Sequence, residues 1–406
     1  MPYADRWRRH RRWFQNTLLA RNALNAYEPL QRDELQKLLR DLLRDPGEAL
    51  AHLKRYAAAL MLGVAYGYSP STMDDEFVRM TEEAMHLALD GGGPGSALVD
   101  FFPARKSPHI PPTLLVSSVL RRDVVCGELS GGVLVLRSAG YKEMHRIPLE
   151  RAAGTARPCV ATALLEEAAR DGIVEKADED EISSALGVMY VAGTDTTSAV
   201  LVAFVLAMVL HPDVLRKAQA EVDSVVGDGR LPEPDDRAAL PYLEAVLKEV
   251  YRWLAPAPLG TPHELTEHDE YAGFHMPKGA LIVTNIWAMS RDEQYFTDPD
   301  RFDPERFLDV GADAGEAMDP RKFVFGFGRR ICPGRVLADQ SIFIVAATLV
   351  AAFDIRPART PDGNEIPLKS RSRLEQHPKP FVCDISPRSG KADLILGTAN
   401  GNGVKY

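Results

Sequence analysis

The stretch from Asp180 to His211 constrains the fold most, because it is apolar nearly all round and unbroken from Ala199 to Leu210. A helix without a polar face must be wrapped by other elements, and at 1.5 Å per residue this one reaches about 45 Å. That requirement points to a large helical body. The chain has 406 residues, 45% of them hydrophobic and 26% charged, enough for such a core and ordinary for a globular protein. The longest apolar runs, Ala199 to Leu210 and Ile342 to Phe353, fall short of the ~20 residues of a membrane span, so neither is expected to cross a bilayer.

Apolar spacing predicts helices over 3–25, 29–43, 47–66 and 74–90, with Pro29 and Pro46 at helix starts. Further helices are expected over Asp213 to Val226, Leu240 to Leu254 and Val336 to Phe353. After Pro256 the texture changes to short strands: Tyr271 to Met276, a turn at Pro277-Lys278-Gly279, then Ala280 to Ala288. Phe353 to Pro357 and Phe381 to Ser386 are expected to pair across the Asp362-Gly363 turn and its loop. Without repeats or low-complexity linkers, residues 1–406 read as one composite domain. The segment 105–149 stands apart, having no steady helical period and carrying Gly131 and Gly132.

A net charge of −9 and a pI near 5.7 argue against nucleic acid as a partner, since phosphate binding needs a basic excess or patch. The four cysteines, Cys126, Cys159, Cys332 and Cys383, are scattered without framework spacing, which suits a reducing compartment. No apolar signal sequence opens the chain.

Cys332 lies in Phe325-Gly-Phe-Gly-Arg-Arg-Ile-Cys-Pro-Gly-Arg335, a glycine-studded hairpin running into an apolar helix. Gly326 and Gly328 allow a tight turn and close approach to a flat ligand. Amide donors and the helix dipole would stabilise a sulfur anion at Cys332 and make its thiol easy to deprotonate. Arg330 offers a forked cation for a carboxylate, and Phe325 can shield the sulfur from water. A lone cysteine is ordinarily a small buried hydrophobe, and zinc would want further Cys or His nearby. Neither reading accounts for the glycines and Arg330. The spacing Phe-x-x-Gly-x-Arg-x-Cys-x-Gly, met here by Phe325, Gly328, Arg330, Cys332 and Gly334, resembles the haem-binding signature of cytochrome P-450 enzymes. That resemblance implies haem b with Cys332 as the axial ligand of its iron.

Other motifs gain meaning beside this one. Ala192-Gly-Thr-Asp-Thr-Thr197 interrupts the long apolar helix; alone it reads as a kinked core helix. It resembles the oxygen-binding groove of the same family, which implies that Ala192 and Gly193 leave room for oxygen, Asp195 relays protons and Thr196 holds the oxygen being protonated. Glu249 and Arg252 share one helical face and alone would be a surface ion pair. With Arg306 in Pro304-Glu-Arg-Phe307 they resemble the family's buried structural triad. Trp7 and Arg11, four apart, could belong to a basic amphipathic helix or an Arg-rich presequence. The resemblance instead makes them contacts for haem propionates, with His263 as a further one and neighbouring basic residues facing an acidic reductase.

The resemblance covers most of the chain, and the connecting sequence looks most like fungal secondary-metabolism members. It implies a mainly α fold with a small β region, similar to the cytochrome P-450 fold without its N-terminal anchor, first strands and early helices. The reaction implied is insertion of one atom of O2 into a small apolar organic substrate, in secondary metabolism or xenobiotic oxidation. Electrons would come from NADPH through NADPH–cytochrome P-450 reductase, because the chain carries no dinucleotide, flavin or iron–sulfur motif. Full-length members sit on the cytosolic face of the endoplasmic reticulum membrane. Two departures stand out: the chain begins at the helix carrying Trp7, and 105–149 falls where the family has helices roofing the substrate. An incomplete or misspliced coding sequence is expected to account for both. The alternative reading is a truncated, inactive remnant, haem-binding or non-haem. A thiolate-haem isomerase is disfavoured by Asp195 and Thr196, which that chemistry does not need.

Overall fold

The computed structural model describes residues 4–70, 72, 75, 78–79, 157–169, 173–308, 315–316, 318–366 and 378–397. Most of the helix expected at 74–90, and all of 105–149, lie outside them. The chain gathers into two compact units, residues 1–57 with 195–406, and residues 58–194. The described elements are mostly helical.

The first unit opens with α1 (Asp5–Leu18) and α2 (Arg21–Arg44). The break expected at Pro29 falls instead at Leu19-Ala20, where Ala20 is extended, and α2 runs through Pro29. Pro29 and Asn25, whose carbonyl loses its helical partner, are both exposed, so water can satisfy that oxygen. Pro46 opens a 3₁₀ turn, Pro46–Glu48, before α3 (Ala49–Tyr66).

In the second unit, α3 supplies the buried Leu60 and Leu62, α4 (Val160–Ala168) supplies Val160, Ala161 and Leu164, and the start of α5 (Lys176–Leu210) supplies Ile182, Leu186 and Tyr190. A Cβ added at Gly193 of α5 would lie 2.6 Å from Met61 Cε of α3, so the glycine lets these helices approach. All-round burial of α5 holds from Ala199 to Val209 but fails at Val188, which is 66% exposed, and at Ala192 one turn on. That stripe of the helix is left open.

Back in the first unit, α6 (Pro212–Val226) and α7 (Pro241–Trp253) each start with proline at the first helical position, where its missing N–H costs nothing. After α7 come two small antiparallel ladders: β1 (His263–Glu264) pairs with β4 (Leu281–Ile282), and β2 (Asp269–Tyr271) with β3 (Phe274–Met276). The single strand expected over 271–276 is thus folded back as a hairpin. Gly273, at φ 80°, and Ala272, at φ 50°, take the left-handed turn conformation that matches strand twist. The strand expected over 280–288 stops after Ile282 and gives way to α8 (Ile286–Met289), because Asn285 caps that turn, its side chain accepting the Ala288 N–H at 3.0 Å.

Next come α9 (Arg321–Val324) and α10 (Arg335–Ala352), whose residues from Ser341 to Ala352 are all buried. The chain then forms β5 (Phe353–Pro357), paired from Phe353↔Pro387 to Pro357↔Cys383 with β6 (Cys383–Pro387), and α11 (Lys391–Gly397). By length and composition alone α5 and α10 are long and apolar enough to cross a membrane, although their uninterrupted apolar runs fall short of a span; 72% of the most apolar window in each is buried within the protein.

Candidate haem-thiolate site

The cysteine loop is a hairpin closed by the Cys332 N–H donating to the Phe325 carbonyl at 2.8 Å. Gly326 and Gly328 hold φ of 76° and 54°, where a side chain would be strained, and a Cβ on either would meet nothing within 4 Å. The backbone there borders open space. Past the cysteine, Gly334 leads into α10, and the N–H groups of Gly334 and Arg335 both donate to the Cys332 sulfur.

The charge balance on that sulfur differs from the expectation of easy deprotonation. Burial pushes the Cys332 thiol up, outweighing the downward pull of the two amides, Arg335 and Arg11. The protein alone keeps the thiol protonated at neutral pH. A bound cation would reverse this, because a thiol that coordinates a metal releases its proton to solvent and binds as the thiolate.

Helix α1 lies on the same loop. Arg11 donates from Nη1 to the Ile331 carbonyl at 2.5 Å, and the Arg330 guanidinium sits 4.8 Å from the centre of the Trp7 ring. Burial, then the neighbouring Arg335, holds the Arg11 guanidinium below its usual range, while Cys332 pulls it up. Phe325 meets Tyr251 of α7 edge-to-face at 5.7 Å. Trp7, Arg11, Phe325, Arg330 and Gly334 are therefore brought around one cysteine although more than 300 residues separate the two segments. The donor set fits haem. A single sulfur lies on a hairpin whose Gly326 and Gly328 border open space and would not block a flat ligand, and among the described residues no group of three or more His, Cys, Asp or Glu could hold a bare ion.

Glu249 and Arg252, both fully buried on α7, form a two-pronged pair with Arg252 Nε and Nη2 at 2.7 Å from the carboxylate oxygens. Arg306 Nε reaches Glu249 at 3.3 Å, and the Asp303 N–H donates to the same carboxylate at 2.8 Å. The remaining guanidinium donors reach carbonyls: Arg252 those of Ser290, Pro299 and Arg301, and Arg306 those of Thr297, Asp298 and Arg301. Such a network tolerates burial because every ion is fully partnered.

The other expected site residues lie elsewhere. Ala192 is exposed, and Asp195 and Thr196 are half-buried, along the open stripe of α5; Gly193 is half-buried off that stripe, and the space beside it is taken up by Met61. The Ser198 hydroxyl bonds back to the Asp195 carbonyl at 2.9 Å, and the Thr194 hydroxyl is buried without a protein partner. His263 is exposed in β1 opposite Ile282, and no described contact joins it to the cysteine loop. Sequence reasoning missed Tyr251 against Phe325 and Met61 against Gly193, pairs far apart in the chain that no short motif announces.

Comparison with known proteins agrees with this arrangement. Residues 140–383 match the family model for cytochrome P450. Cytochrome P450 monooxygenases 136 and 176 of Postia placenta are 42% and 40% identical over 99% of this chain and 75% and 76% of their own lengths. Cytochrome P450 monooxygenase claR of Ampulloclitocybe clavipes is 37% identical over 97% of this chain and 71% of its own. With its cysteine hairpin, its glycines and its fully partnered Glu-Arg-Arg network, the chain belongs to the cytochrome P450 family of haem-dependent monooxygenases.

Proposed function

We propose that this chain hydroxylates or otherwise oxidises a small apolar molecule of fungal secondary or xenobiotic metabolism, with electrons from NADPH–cytochrome P450 reductase at the cytosolic face of the endoplasmic reticulum. The observation that carries the reading is Cys332, whose sulfur takes two amide hydrogen bonds at the start of α10 beside an open glycine face. When bound, haem supplies reductive activation of O2 and transfer of one oxygen atom to the substrate.

The chain's own residues bind, orient and move protons. Cys332 Sγ would hold the iron, Phe325 would keep water from the sulfur, and the amide hydrogen bonds from Gly334 and Arg335 would moderate its charge. Trp7, Arg11, Arg330 and His263 would hold the propionates. Asp195 takes protons from solvent and Thr196 presents its hydroxyl on the reacting side, with Ala192 and Gly193 keeping that turn small. The Glu249, Arg252 and Arg306 network fixes the loops behind the cysteine hairpin. Reductase docking is favoured by the exposed arginines Arg8 and Arg12 of α1, four apart on one helical face, with Arg6 and Arg329 adding positive charge on a chain of net charge −9.

Expression with haem tests the reading. A reduced, carbon monoxide-bound spectrum with the red-shifted band of thiolate ligation, together with reductase-dependent NADPH oxidation, is expected; a chain that takes up no haem is the inactive remnant.

A further inference from the structure

We propose that Arg321 and Asp339 act as positioning residues for Cys332, clamping the two stems of the cysteine hairpin through α7. As a statement about iron ligation this rests on Cys332 being the haem ligand; as a statement about the loop it does not. Arg321 lies four residues before Phe325, where the hairpin opens, and Asp339 lies seven after Cys332, on the first turns of α10. Their side chains approach to 3.6 Å. A third group sits between them: Glu244 of α7 accepts from Arg321 at 2.6 Å and from Arg237 at 2.8 Å, and Arg237 also reaches Asp339 at 2.7 Å.

Asp319 completes the balance, gripping the Arg321 guanidinium from the other side at 2.6 Å. All five side chains are between 16% and 24% exposed, screened enough from water for the pairs to matter. The clamp reaches the sulfur by two routes. Through the backbone, α9 carries Arg321 and is followed directly by Phe325, its C-cap, whose carbonyl accepts the Cys332 N–H. Through side chains, the Tyr251 hydroxyl donates to Asp339 at 3.4 Å while its ring packs on Phe325. With both stems fixed to one helix, the hairpin cannot open without breaking charged contacts on both sides.

Two readings on the full chain test this. Without added haem, Cys332 should be alkylated about tenfold faster by iodoacetamide in Asp339→Asn and in Arg321→Met than in the unaltered chain, the factor that ~1.4 kcal/mol gives. Cys159 and Cys383 in the same digest, followed by mass spectrometry, should keep their rates. With haem, the same variants should lose the red-shifted carbon monoxide band to the blue-shifted form about tenfold faster at a temperature where helix content is intact. Unchanged Cys332 labelling, or equal acceleration at all three cysteines, overturns the clamp. Should a charge variant fail to fold, Tyr251→Phe removes only the hydroxyl and leaves the ring on Phe325; selective acceleration at Cys332 supports the clamp and none overturns it. A colourless chain with selective labelling would sink the ligand assignment and leave the clamp standing.

Discussion

At the scale of single residues, burial pushes up the thiols of both cysteines of the first unit, and only at Cys332 do local donors pull the other way. Cys383 has no compensating donors: burial, then Asp384, pushes its thiol up to about 11. A thiol whose folded pKa exceeds its unfolded value stabilises the fold fully below the unfolded pKa and loses that contribution as pH rises through the folded one. Between pH 9 and 11 the chain should therefore lose on the order of 2 kcal/mol that Cys383→Ser does not lose, read from urea unfolding at each pH. The sulfur of Cys332 differs in having amides ready to stabilise the anion once a metal displaces its proton. Thr196 is the residue whose chemistry is most separable from structure, being half-buried on the open stripe of α5. Thr196→Ala should leave haem binding intact yet cut product formed per NADPH consumed by about 10²-fold, the lower range for a positioned proton-transfer group. Unchanged coupling would remove Thr196 from the reaction.

At the scale of elements, the ion network on α7 and the helix contact at Gly193 make opposite kinds of demand. Glu249 leaves two arginines without their anion if it is neutralised, so Glu249→Gln should cost about 3–5 kcal/mol, seen as a loss of soluble, haem-loaded protein. The exposed pair Arg359–Glu365 offers the contrast: Arg359→Ala should shift stability by less than about 1 kcal/mol. Gly193→Ala gains about 1 kcal/mol of helix propensity but collides with Met61, an overpacking that typically costs about 1–3 kcal/mol. The net effect should be destabilising, and combining it with Met61→Ala should cost less than the sum of the two single changes. Additive costs in that cycle would mean that Met61 moves aside freely.

At the scale of the whole molecule, what was legible in the sequence followed from period and spacing. The helices up to Tyr66, the buried stretch of α5 from Ala199 to Val209, the buried α10 and the β5–β6 pairing come from apolar patterns that the structure keeps. The Glu249–Arg252 pair was legible because a three-residue step places both on one face, but Asp303, Ser290 and Pro299 as its partners were not, since those contacts depend on how distant loops fold back. The helix through Pro29 escaped because exposure of Asn25 makes the missing hydrogen bond tolerable, and exposure is a tertiary property. The hairpin at Ala272-Gly273 escaped because its short strands lack a clear alternation. Thermal stability links these parts to the cofactor: haem at a hundredfold excess over its dissociation constant should stabilise the chain by about 2.7 kcal/mol. The most direct measurement is the reduced carbon monoxide difference spectrum of the haem-reconstituted chain beside its Cys332→Ser variant. A red-shifted thiolate band in the unaltered chain that vanishes in the variant is the predicted result; an identical band in both, or no pigment in either, contradicts the account.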